Sequence, residues 1–491
     1  MRGLCLMKRT ADIVRKVCWI VGSLYALVGI ATPSLANGAR PSWLQECRLP
    51  GFKDPTLCGH HSVFENRSEK GRRIELKVVV VPAKSPNPAP DPVFLITGGP
   101  GQAATDLARF ANRSPLGSQR DIVLIDQRGT RGSNPLICDL PDSDRNLQSY
   151  FEDVFEVSTF SRCRDALADR ADVRYYTTIQ AIQDLDEVRE ALQYRQVNLL
   201  GWSYGTRVAL QYAQAYPERV RTLILNGTVP VNFRNPLPHA RSAQQSIDAI
   251  FAACAQDTAC NKAFPNLNQK FQQVLARLNQ AAAGTIVRHP VSGEPENVLI
   301  TKPTFVEALR MSSYHYDQIP LIPKLINDAY QGNFALLAEI IMKRNRSRAK
   351  FPWGMLLAVT CSEDVSRIAD DEVESATANT ALGDYRIRRQ MKVCSVWPKT
   401  TLPDSYTHTV ALPVPALILS GIQDPVTPTE WGEEVRKILP NSLHIVVPGG
   451  HIVGGGCLTS VQQAFLEAQT VDQLDISCTR SVKLLDFAVL D

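Results

Sequence analysis

One five-residue segment constrains this chain more than any other, the run Gly201-Trp202-Ser203-Tyr204-Gly205. It follows an apolar, strand-like run at 197–200 and precedes residues with the pattern of an amphipathic helix. A tight turn from a strand into a helix forces the serine into strained backbone geometry and leaves its hydroxyl exposed, and glycines on both sides make room for that turn. The segment therefore predicts Ser203 as a nucleophile at the carboxyl edge of a sheet.

Apolar, β-branched runs recur along the chain and alternate with helical patterns, which is typical of an α/β fold. Most of these runs are continuous rather than alternating, as expected for parallel strands that are buried on both faces. The predicted strands are 74–81, 93–97, 122–126, 197–201, 222–226, 416–420 and 444–447. We therefore expect a mostly parallel central sheet flanked by helices.

The strand pattern stops between residues 230 and 408. Helical patterns dominate this segment, at 243–253, 268–278, 304–311 and 334–343. A segment of this length is too long for a loop in a compact domain, so we interpret it as a large helical cap inserted between two strands of the sheet. The predicted organisation is a first part of an α/β core at 37–229, the cap at 230–408 and a second part of the core at 409–491.

A serine hydroxyl needs a base to take its proton, and the base needs a carboxylate to orient it. His451 lies in the turn Pro448-Gly449-Gly450-His451, directly after the predicted strand 444–447, where an imidazole could reach Ser203. His444 lies inside that strand and is expected to pack on a face of the sheet. Asp424 is the only carboxylate in the turn after the strand 416–420, so we expect it to accept the imidazole N–H.

The tetrahedral intermediate of such a reaction needs N–H donors for its oxyanion. The residue after the nucleophile, Tyr204, is expected to supply one backbone N–H. The turn Gly98-Gly99-Pro100-Gly101 follows a predicted strand and could supply the other. Proline has no N–H, so Gly99 is the expected second donor and Gly98 is the alternative.

The first 36 residues have the pattern of a signal peptide: a basic start, an apolar run at 17–30 and the small-residue site Ser34-Leu35-Ala36. An uncleaved anchor is the alternative. The segment contains five of the 53 basic and one of the 49 acidic residues, so the remaining chain carries no net charge. Nothing in this balance favours a nucleic-acid partner or an anionic membrane. We expect an exported protein, periplasmic or extracellular, with no stable membrane insertion after cleavage.

Ten cysteines remain after the signal peptide, and an even number in an exported chain suggests disulfide bonds. Spacing alone does not determine the connectivity. The hypothesis with the shortest loops is sequential pairing: 47–58, 138–163, 254–260, 361–394 and 457–478. A zinc site is the rival interpretation, but the chain has no Cys-x-x-Cys segment and no paired histidine spacing.

Taken together, these motifs resemble those of the proline iminopeptidase and tripeptidyl aminopeptidase group of α/β-hydrolases. The matching segments are Gly98-Gly99-Pro100-Gly101-Gln102, Asp126-Gln127-Arg128-Gly129-Thr130-Arg131-Gly132-Ser133, Gly201-Trp202-Ser203-Tyr204-Gly205, Asp424-Pro425-Val426-Thr427-Pro428, Gly450-His451 and Cys457. The resemblance spans nearly the whole mature chain but is thin across the cap. Thr97 stands where proline iminopeptidases typically have histidine, which favours the broader tripeptidyl type.

The resemblance implies the α/β-hydrolase fold and a secreted serine exopeptidase that releases N-terminal residues from short peptides through an acyl-enzyme on Ser203. It also implies cap carboxylates that hold the substrate's α-ammonium group. Glu363 and Asp364, in Thr360-Cys361-Ser362-Glu363-Asp364, are the candidates. The alternative is that these two acids only stabilise a helix N-terminus.

Two other functions stay open at this point. A secreted esterase or lactonase would use the same Ser203, Asp424 and His451, because the cap decides which substrates gain access. A catalytically inactive binding protein is a further alternative, which the complete set of three residues disfavours. The expected chemistry requires no metal and no cofactor. The sequence does not indicate the oligomeric state.

Overall fold

The computed structural model describes residue 35 and residues 40–140, 144–348 and 350–489. The predicted signal peptide at 1–36 lies outside the described residues except for Leu35. Among the described residues, no helix is both long and apolar enough to cross a membrane.

A nine-stranded sheet lies at the centre of the described chain, in the order β1-β2-β3-β5-β4-β6-β7-β10-β11. Its strands are β1 (Leu44–Cys47), β2 (Thr56–Phe64), β3 (Arg73–Val81), β4 (Val93–Ile96), β5 (Ile122–Ile125), β6 (Val197–Trp202), β7 (Val220–Asn226), β10 (Ala416–Gly421) and β11 (Ser442–Val447). The pairs from β5 through β11 are parallel, whereas β1, β2 and β3 pair antiparallel at one edge. The predicted α/β fold with a mostly parallel sheet is confirmed.

All seven strands predicted from the sequence are present, each within a few residues of its expected bounds. The strands β1 and β2 were not predicted. They have no continuous apolar run, and several of their side chains are exposed or half-buried; β1 is the edge strand and β2 lies next to it. A strand of this kind does not give the sequence pattern of a buried parallel strand.

Helices cover both faces of the sheet. Those outside the segment between β7 and β10 are α1 (Ala108–Arg113), α2 (Val157–Leu167), α3 (Thr178–Ala191), α4 (Tyr204–Ala215), α14 (Thr429–Arg436) and α15 (Gly456–Ala468). Alternate residues of β3 show the two faces: Val78 and Val80 belong to the apolar cluster under α3 and α4, and Val79 and Val81 to the cluster under α1 and α15. Burial on both faces explains why the β3 pattern is continuously apolar.

The segment between β7 and β10 is mainly helical, as predicted. Its helices are α5 (His239–Gln256), α6 (Thr258–Ala263), α7 (Leu267–Gln280), α8 (Lys302–Ser312), α9 (Ile322–Tyr330), α10 (Ala335–Ser347), α11 (Trp353–Glu363), α12 (Asp370–Thr377) and α13 (Tyr385–Val396). It also contains an unpredicted antiparallel hairpin of β8 (Ala283–Arg288) and β9 (Pro295–Ile300). Short 3₁₀ turns in the described chain lie at Ala104–Leu107, Pro115–Gly117, Leu147–Phe151, Val173–Tyr175, Pro217–Arg219, Ile319–Leu321, Val365–Arg367, Asp404–Thr407 and Ser477–Ser481.

The inserted segment contributes to two different apolar cores. Helices α5 to α10 and the hairpin form most of a second cluster, with residues such as Phe271, Phe305 and Ile326, which the 3₁₀ turn Leu147–Phe151 also joins. Helices α11 to α13 instead add Leu357, Val393 and others to the cluster that packs on the sheet. The domain bounds at 230 and 408 stay a prediction. Within these bounds, the helices fall into two groups according to the apolar cluster that they join.

The described residues contain five disulfide bonds, which confirm the sequential pairing: Cys47–Cys58, Cys138–Cys163, Cys254–Cys260, Cys361–Cys394 and Cys457–Cys478. The bond between Cys361 and Cys394 joins α11 to α13 and closes the longest of these loops, with a separation of 33 residues. A cross-link that closes a longer loop removes more entropy from the unfolded chain.

We expect the double substitution Cys361→Ala/Cys394→Ala to lower the free energy of unfolding by about 4 kcal/mol, because this loop is long and both sulfurs are buried. The matched variant Cys254→Ala/Cys260→Ala opens a loop with a separation of only 6 residues and should lose about 2 kcal/mol. Denaturant unfolding of the oxidised proteins measures both values. Equal losses would contradict the loop-length argument.

Candidate active site

Ser203 lies in a tight turn between the end of β6 at Trp202 and the start of α4 at Tyr204. Its backbone has φ 55° and ψ −125°, a conformation that side-chain-bearing residues rarely adopt. Its N–H donates to the carbonyl oxygen of Asn226 at 2.9 Å. A Cβ atom at Gly205 would lie 2.2 Å from the carbonyl oxygen of Ile96, so only glycine allows this close approach of α4 to β4. The strained turn expected from the sequence is therefore present.

The side chains of His451 and Asp424 contact each other at the carboxyl ends of β11 and β10, two neighbouring parallel strands. Nδ1 of His451 lies 2.9 Å from Oδ2 and 3.1 Å from Oδ1 of Asp424. With Nδ1–H assigned as the donor in this bond, Nε2 is the nitrogen available to accept a proton.

Asp424 is almost fully buried and is held by three donors besides the histidine. The backbone N–H groups of Val426 and Thr427 donate to Oδ1 at 2.8 and 2.9 Å. The hydroxyl of Thr427 donates to Oδ2 at 2.7 Å and lies 3.1 Å from Nδ1 of His451. These bonds fix the orientation of the carboxylate toward His451. The role of Thr427 follows from tertiary geometry, although the residue lies within the Asp-Pro-Val-Thr-Pro motif.

Ser203 and His451 both line a single cavity of about 610 Å³. The wall opposite the sheet comes from the inserted segment, and it includes Tyr314 just after α8. The carbonyl oxygen of Tyr314 accepts the backbone N–H of His451 at 3.2 Å, and the two rings pack edge to face with centroids 5.0 Å apart. The inserted segment therefore both covers the serine and supports the histidine, a contact that the sequence did not predict.

The glycine-rich turn after β4 lies against the serine. A Cβ atom at Gly98 would be 2.7 Å from Cβ of Ser203, so the two backbones touch at this point. Gly99, the expected oxyanion donor, lines the cavity together with Tyr204, whereas Gly98 faces the serine itself. The turn is held by the bond from the Gln102 N–H to the Gly98 carbonyl oxygen at 3.2 Å. The structure thus brings both predicted donors to the cavity that Ser203 lines.

Glu363, one of the two acids expected to hold a substrate ammonium group, lies in the protein interior. It ends helix α11, is completely buried and is not among the residues that line the cavity. Its Oε1 accepts the Thr178 N–H at 2.6 Å, and its Oε2 accepts the Thr178 hydroxyl at 2.7 Å and the Tyr406 hydroxyl. Its carboxylate already has internal donors on both oxygens.

Asp364, the other predicted acid, lies on the cavity wall and is paired with Arg207. The Arg207 guanidinium donates to Asp364 Oδ1 at 2.9 Å and to the carbonyl oxygen of Phe233 at 2.8 Å. Burial raises the pKa of Asp364 to about 6 against the opposing effect of Arg207. Glu363 accepts the N–H of Thr178, the first residue of α3, so it meets a helix N-terminus as in the alternative from the sequence, whereas Asp364 caps no helix through its side chain.

Arg207 lies one turn of α4 after Ser203, and the sequence analysis did not single it out. Its guanidinium is buried and also lies 3.6 Å from Glu363, so α4 and α11 are joined by one cation and two carboxylates. Tyr204 extends this connection, since its hydroxyl lies 2.7 Å from that of Thr178. The one charged residue on an otherwise uncharged helix was the only signal in the sequence.

The side chains of the Asp-Gln-Arg-Gly motif hold neighbouring segments of the core together. Arg128 is fully buried and donates to both oxygens of Asp184 at 2.6 and 2.7 Å, which fixes the loop after β5 to α3. Asp126 accepts the N–H and the hydroxyl of Thr105 at 2.9 and 3.0 Å. Burial raises the pKa of Asp126. The bonds between Thr105 and Asp126 hold the segment that follows the glycine turn next to the sheet.

The cavity is rich in cations. Five arginines line it: Arg207, Arg310, Arg344, Arg348 and Arg386. The carboxylates on its wall are Asp106, Asp317 and Asp364. The sequence analysis did not predict this charge, because the arginines come from four different helices or helix ends. Among the described residues, no group of three or more histidine, cysteine, aspartate or glutamate side chains could hold a metal ion.

Comparison with known proteins agrees with this geometry. The chain is 25% identical over 429 residues to the serine protease Hip1 of Mycobacterium tuberculosis, which covers 78% of this chain and 79% of that protein. It is 23% identical over 432 residues to the tripeptidyl aminopeptidase of Streptomyces lividans, with 78% and 75% covered. It is 31% identical over 145 residues to the proline iminopeptidase of Neisseria gonorrhoeae, with 29% and 34% covered. The resemblance stated from the motifs is confirmed.

A family model described as the alpha/beta hydrolase fold matches residues 91–454. This range covers most of the chain and contains Ser203, Asp424 and His451, together with the whole segment between β7 and β10. The strand that leads into the serine turn, β6, lies between two parallel neighbours in the sheet, β4 and β7. The chain therefore belongs to the alpha/beta hydrolase fold family.

Proposed function

We propose that this protein is a secreted serine exopeptidase that releases residues from the free N-terminus of short peptides. The observation that carries the proposal is the arrangement of Ser203 and His451. The serine lies on a strained turn, and the histidine, bonded to Asp424, lines the same cavity. The names of the relatives, a serine protease and two aminopeptidase types, support peptides as substrates.

The reaction proceeds through an acyl-enzyme. Nε2 of His451 takes the proton from the Ser203 hydroxyl while Oγ forms a bond to the substrate's carbonyl carbon, and Asp424 stabilises the imidazolium through Nδ1–H. Backbone N–H groups of Gly99 and Tyr204 hold the oxyanion. The carbon–nitrogen bond then breaks and the amine leaves with the proton from His451. Water attacks the acyl-enzyme by the same route and frees Ser203.

The cavity supports a short substrate. Its volume of about 610 Å³ is within the range of roughly 300–1,000 Å³ that is typical of sites enclosing a small ligand. Tyr314 and Phe351 from the inserted segment contribute to its wall. A chain end fits such an enclosure, whereas the middle of a folded protein does not. An esterase or lactonase with the same three residues is the alternative, because an ester of similar size would also fit.

The test of the exopeptidase activity compares matched peptides of four to six residues, with a free or an acetylated N-terminus. Mass spectrometry of the products gives the cleavage position, and initial rates give kcat/KM. We expect cleavage only near the free N-terminus, with kcat/KM at least 100-fold higher for the free amine. Ser203→Ala is the control and should abolish turnover. Equal rates for both peptides, or turnover of simple esters alone, would favour the esterase.

We expect Asp424→Asn to lower kcat by about 10⁴-fold, the scale seen when the acid of such a triad is replaced. An asparagine amide cannot accept the Nδ1–H bond as a carboxylate does, so His451 is left in the wrong tautomer. Steady-state kinetics on the preferred peptide measures the effect. The exposed Asp169→Asn is the matched control and should leave kcat unchanged. A loss below 10-fold would remove Asp424 from the proposed triad.

We also propose that Glu363 and Asp364 serve mainly to anchor two helices to the end of α11, α3 through Thr178 and α4 through Arg207. In Glu363→Gln, the buried N–H and hydroxyl of Thr178 would face a weaker hydrogen-bond acceptor, so the denaturation midpoint should fall. The preference for a free amine should stay unchanged. Thermal unfolding and the ratio of kcat/KM for free and acetylated peptides measure the two effects. If Asp364→Asn or Glu363→Gln keeps its stability but loses that preference, the acid concerned binds the substrate ammonium group, as the sequence predicts.

A further inference from the structure

Three arginines form a shared wall between the catalytic cavity and a smaller cavity of about 190 Å³. Arg344 lies near the end of α10, Arg348 directly follows that helix, and Arg386 lies in α13. We call this set the arginine wall. Arg310, in α8, lines the catalytic cavity beside it. The triad described above uses none of these side chains.

The charge of the arginine wall is poorly balanced by carboxylates. Glu307 is the nearest acid, but both of its oxygens accept from Arg310, each at 2.7 Å. Arg386 lies 3.9 Å from Glu307. On the far side, Asp153 faces Arg386 but forms its ion pair with Arg389 at 3.6 Å. The two carboxylates that face the wall are therefore engaged with arginines outside it, Glu307 with Arg310 and Asp153 with Arg389.

Individual N–H groups of the wall also lack acceptors. Within the described part of the chain, Nη1 of Arg344 and Nε of Arg386 are buried without a hydrogen-bond partner. The guanidinium of Arg348 lies over the rings of Trp353 and Phe351, 5.1 and 5.9 Å from their centroids. Buried N–H donors are nearly always paired in proteins, so unpaired donors on a cavity wall point to an acceptor on a ligand.

The electrostatic environment agrees with this geometry. Burial, with repulsion from Arg348 and Arg310, lowers the pKa of Arg344 to about 10 in spite of Glu307. Burial also lowers the pKa of Arg348 and of Arg386, and neighbouring arginines add to the effect. A set of cations whose charge is disfavoured in this way gains stability when an anion enters.

The wall is close to the reaction centre through a short series of contacts. Phe351, under Arg348, packs against the glycine turn, since a Cβ atom at Gly101 would lie 2.9 Å from its ring. Arg310 donates to the Tyr314 hydroxyl at 3.2 Å, and Tyr314 packs on His451. Because the wall and Ser203 line the same cavity, one ligand can contact both.

We propose that the arginine wall binds a carboxylate of the peptide substrate, and hence that the enzyme prefers short peptides that carry a free carboxylate at this position. The planar fork of a guanidinium matches the two oxygens of a carboxylate. In an unmodified peptide, this group is either the C-terminal α-carboxylate or the side chain of aspartate or glutamate. The inference rests on the proposed peptidase function and names the class of peptide that the cavity takes.

The first experiment measures binding in the inactive Ser203→Ala protein, so that it does not depend on turnover. Titration calorimetry compares a short peptide with its C-terminal amide, and a glutamate-containing amide peptide with its glutamine counterpart. We expect one of the two acidic forms to bind about 10- to 100-fold more tightly than its neutral partner. A preference in the first pair assigns the α-carboxylate, and a preference in the second assigns the side chain. Equal affinities in both pairs would overturn the proposal.

The second experiment removes charges from the wall. Arg348→Gln and, independently, Arg386→Gln in the Ser203→Ala background should reduce the preference for the acidic peptide to within about 3-fold. Arg346→Gln is the matched control, because Arg346 lies on α10 but is exposed and pairs with Asp144. It should keep the full preference, and thermal unfolding shows which variants are folded. A preference that survives in both folded wall variants would overturn the assignment to the wall.

The two proposals fail in different ways. If the active enzyme cleaves the acidic and the neutral member of both peptide pairs at the free N-terminus with equal kcat/KM, the exopeptidase function stands and the carboxylate site is overturned. If no peptide is cleaved but the inactive protein still prefers the acidic form, the carboxylate site stands and the exopeptidase function is overturned. Raising the salt concentration should weaken binding of the acidic peptide more than that of the neutral one.

Discussion

The backbone conformation of Ser203 is the constraint on which the site depends. A positive φ at a residue with a side chain is held only where the surroundings leave no alternative. Here β4 and α4 approach so closely that Gly205 and Gly98 have no room for a Cβ atom. The same contact brings the glycine turn to the serine and directs the start of α4. The nucleophile, the expected oxyanion donors and the helix that follows are thus consequences of one close approach.

Buried charges secure that arrangement from behind. Arg207, on the first turns of α4, meets Asp364 and Glu363 at the end of α11, and Arg128 meets Asp184 in the middle of α3. Such pairs add little net stability compared with apolar packing, but breaking one leaves an unpaired charge in the interior. They therefore favour this arrangement of the helices over alternative packings, in which a buried charge would lose its partner. The catalytic cavity differs from these paired charges, because more arginines than carboxylates line its wall.

Much of the fold could be predicted from the sequence because its signals are local. Seven strands, the serine turn, the disulfide pairing and the places of Asp424 and His451 each depend on a short segment and its neighbours in the chain. The edge strands β1 and β2 and the hairpin β8–β9 were missed, since their patterns are short and partly polar. The arginine wall and the contacts of Glu363 were missed for another reason: they arise where helices distant in sequence meet.

The bond between the Tyr314 carbonyl oxygen and the His451 N–H makes the inserted segment part of the catalytic framework. Many folds accept new insertions, because the insertion contacts the core through side chains that substitution can replace. In this protein a main-chain carbonyl of the insertion supports the turn that carries the imidazole. Exchange of the whole insertion for that of a relative would therefore alter proton transfer as well as substrate choice, unless the donor segment brings a carbonyl to the same point.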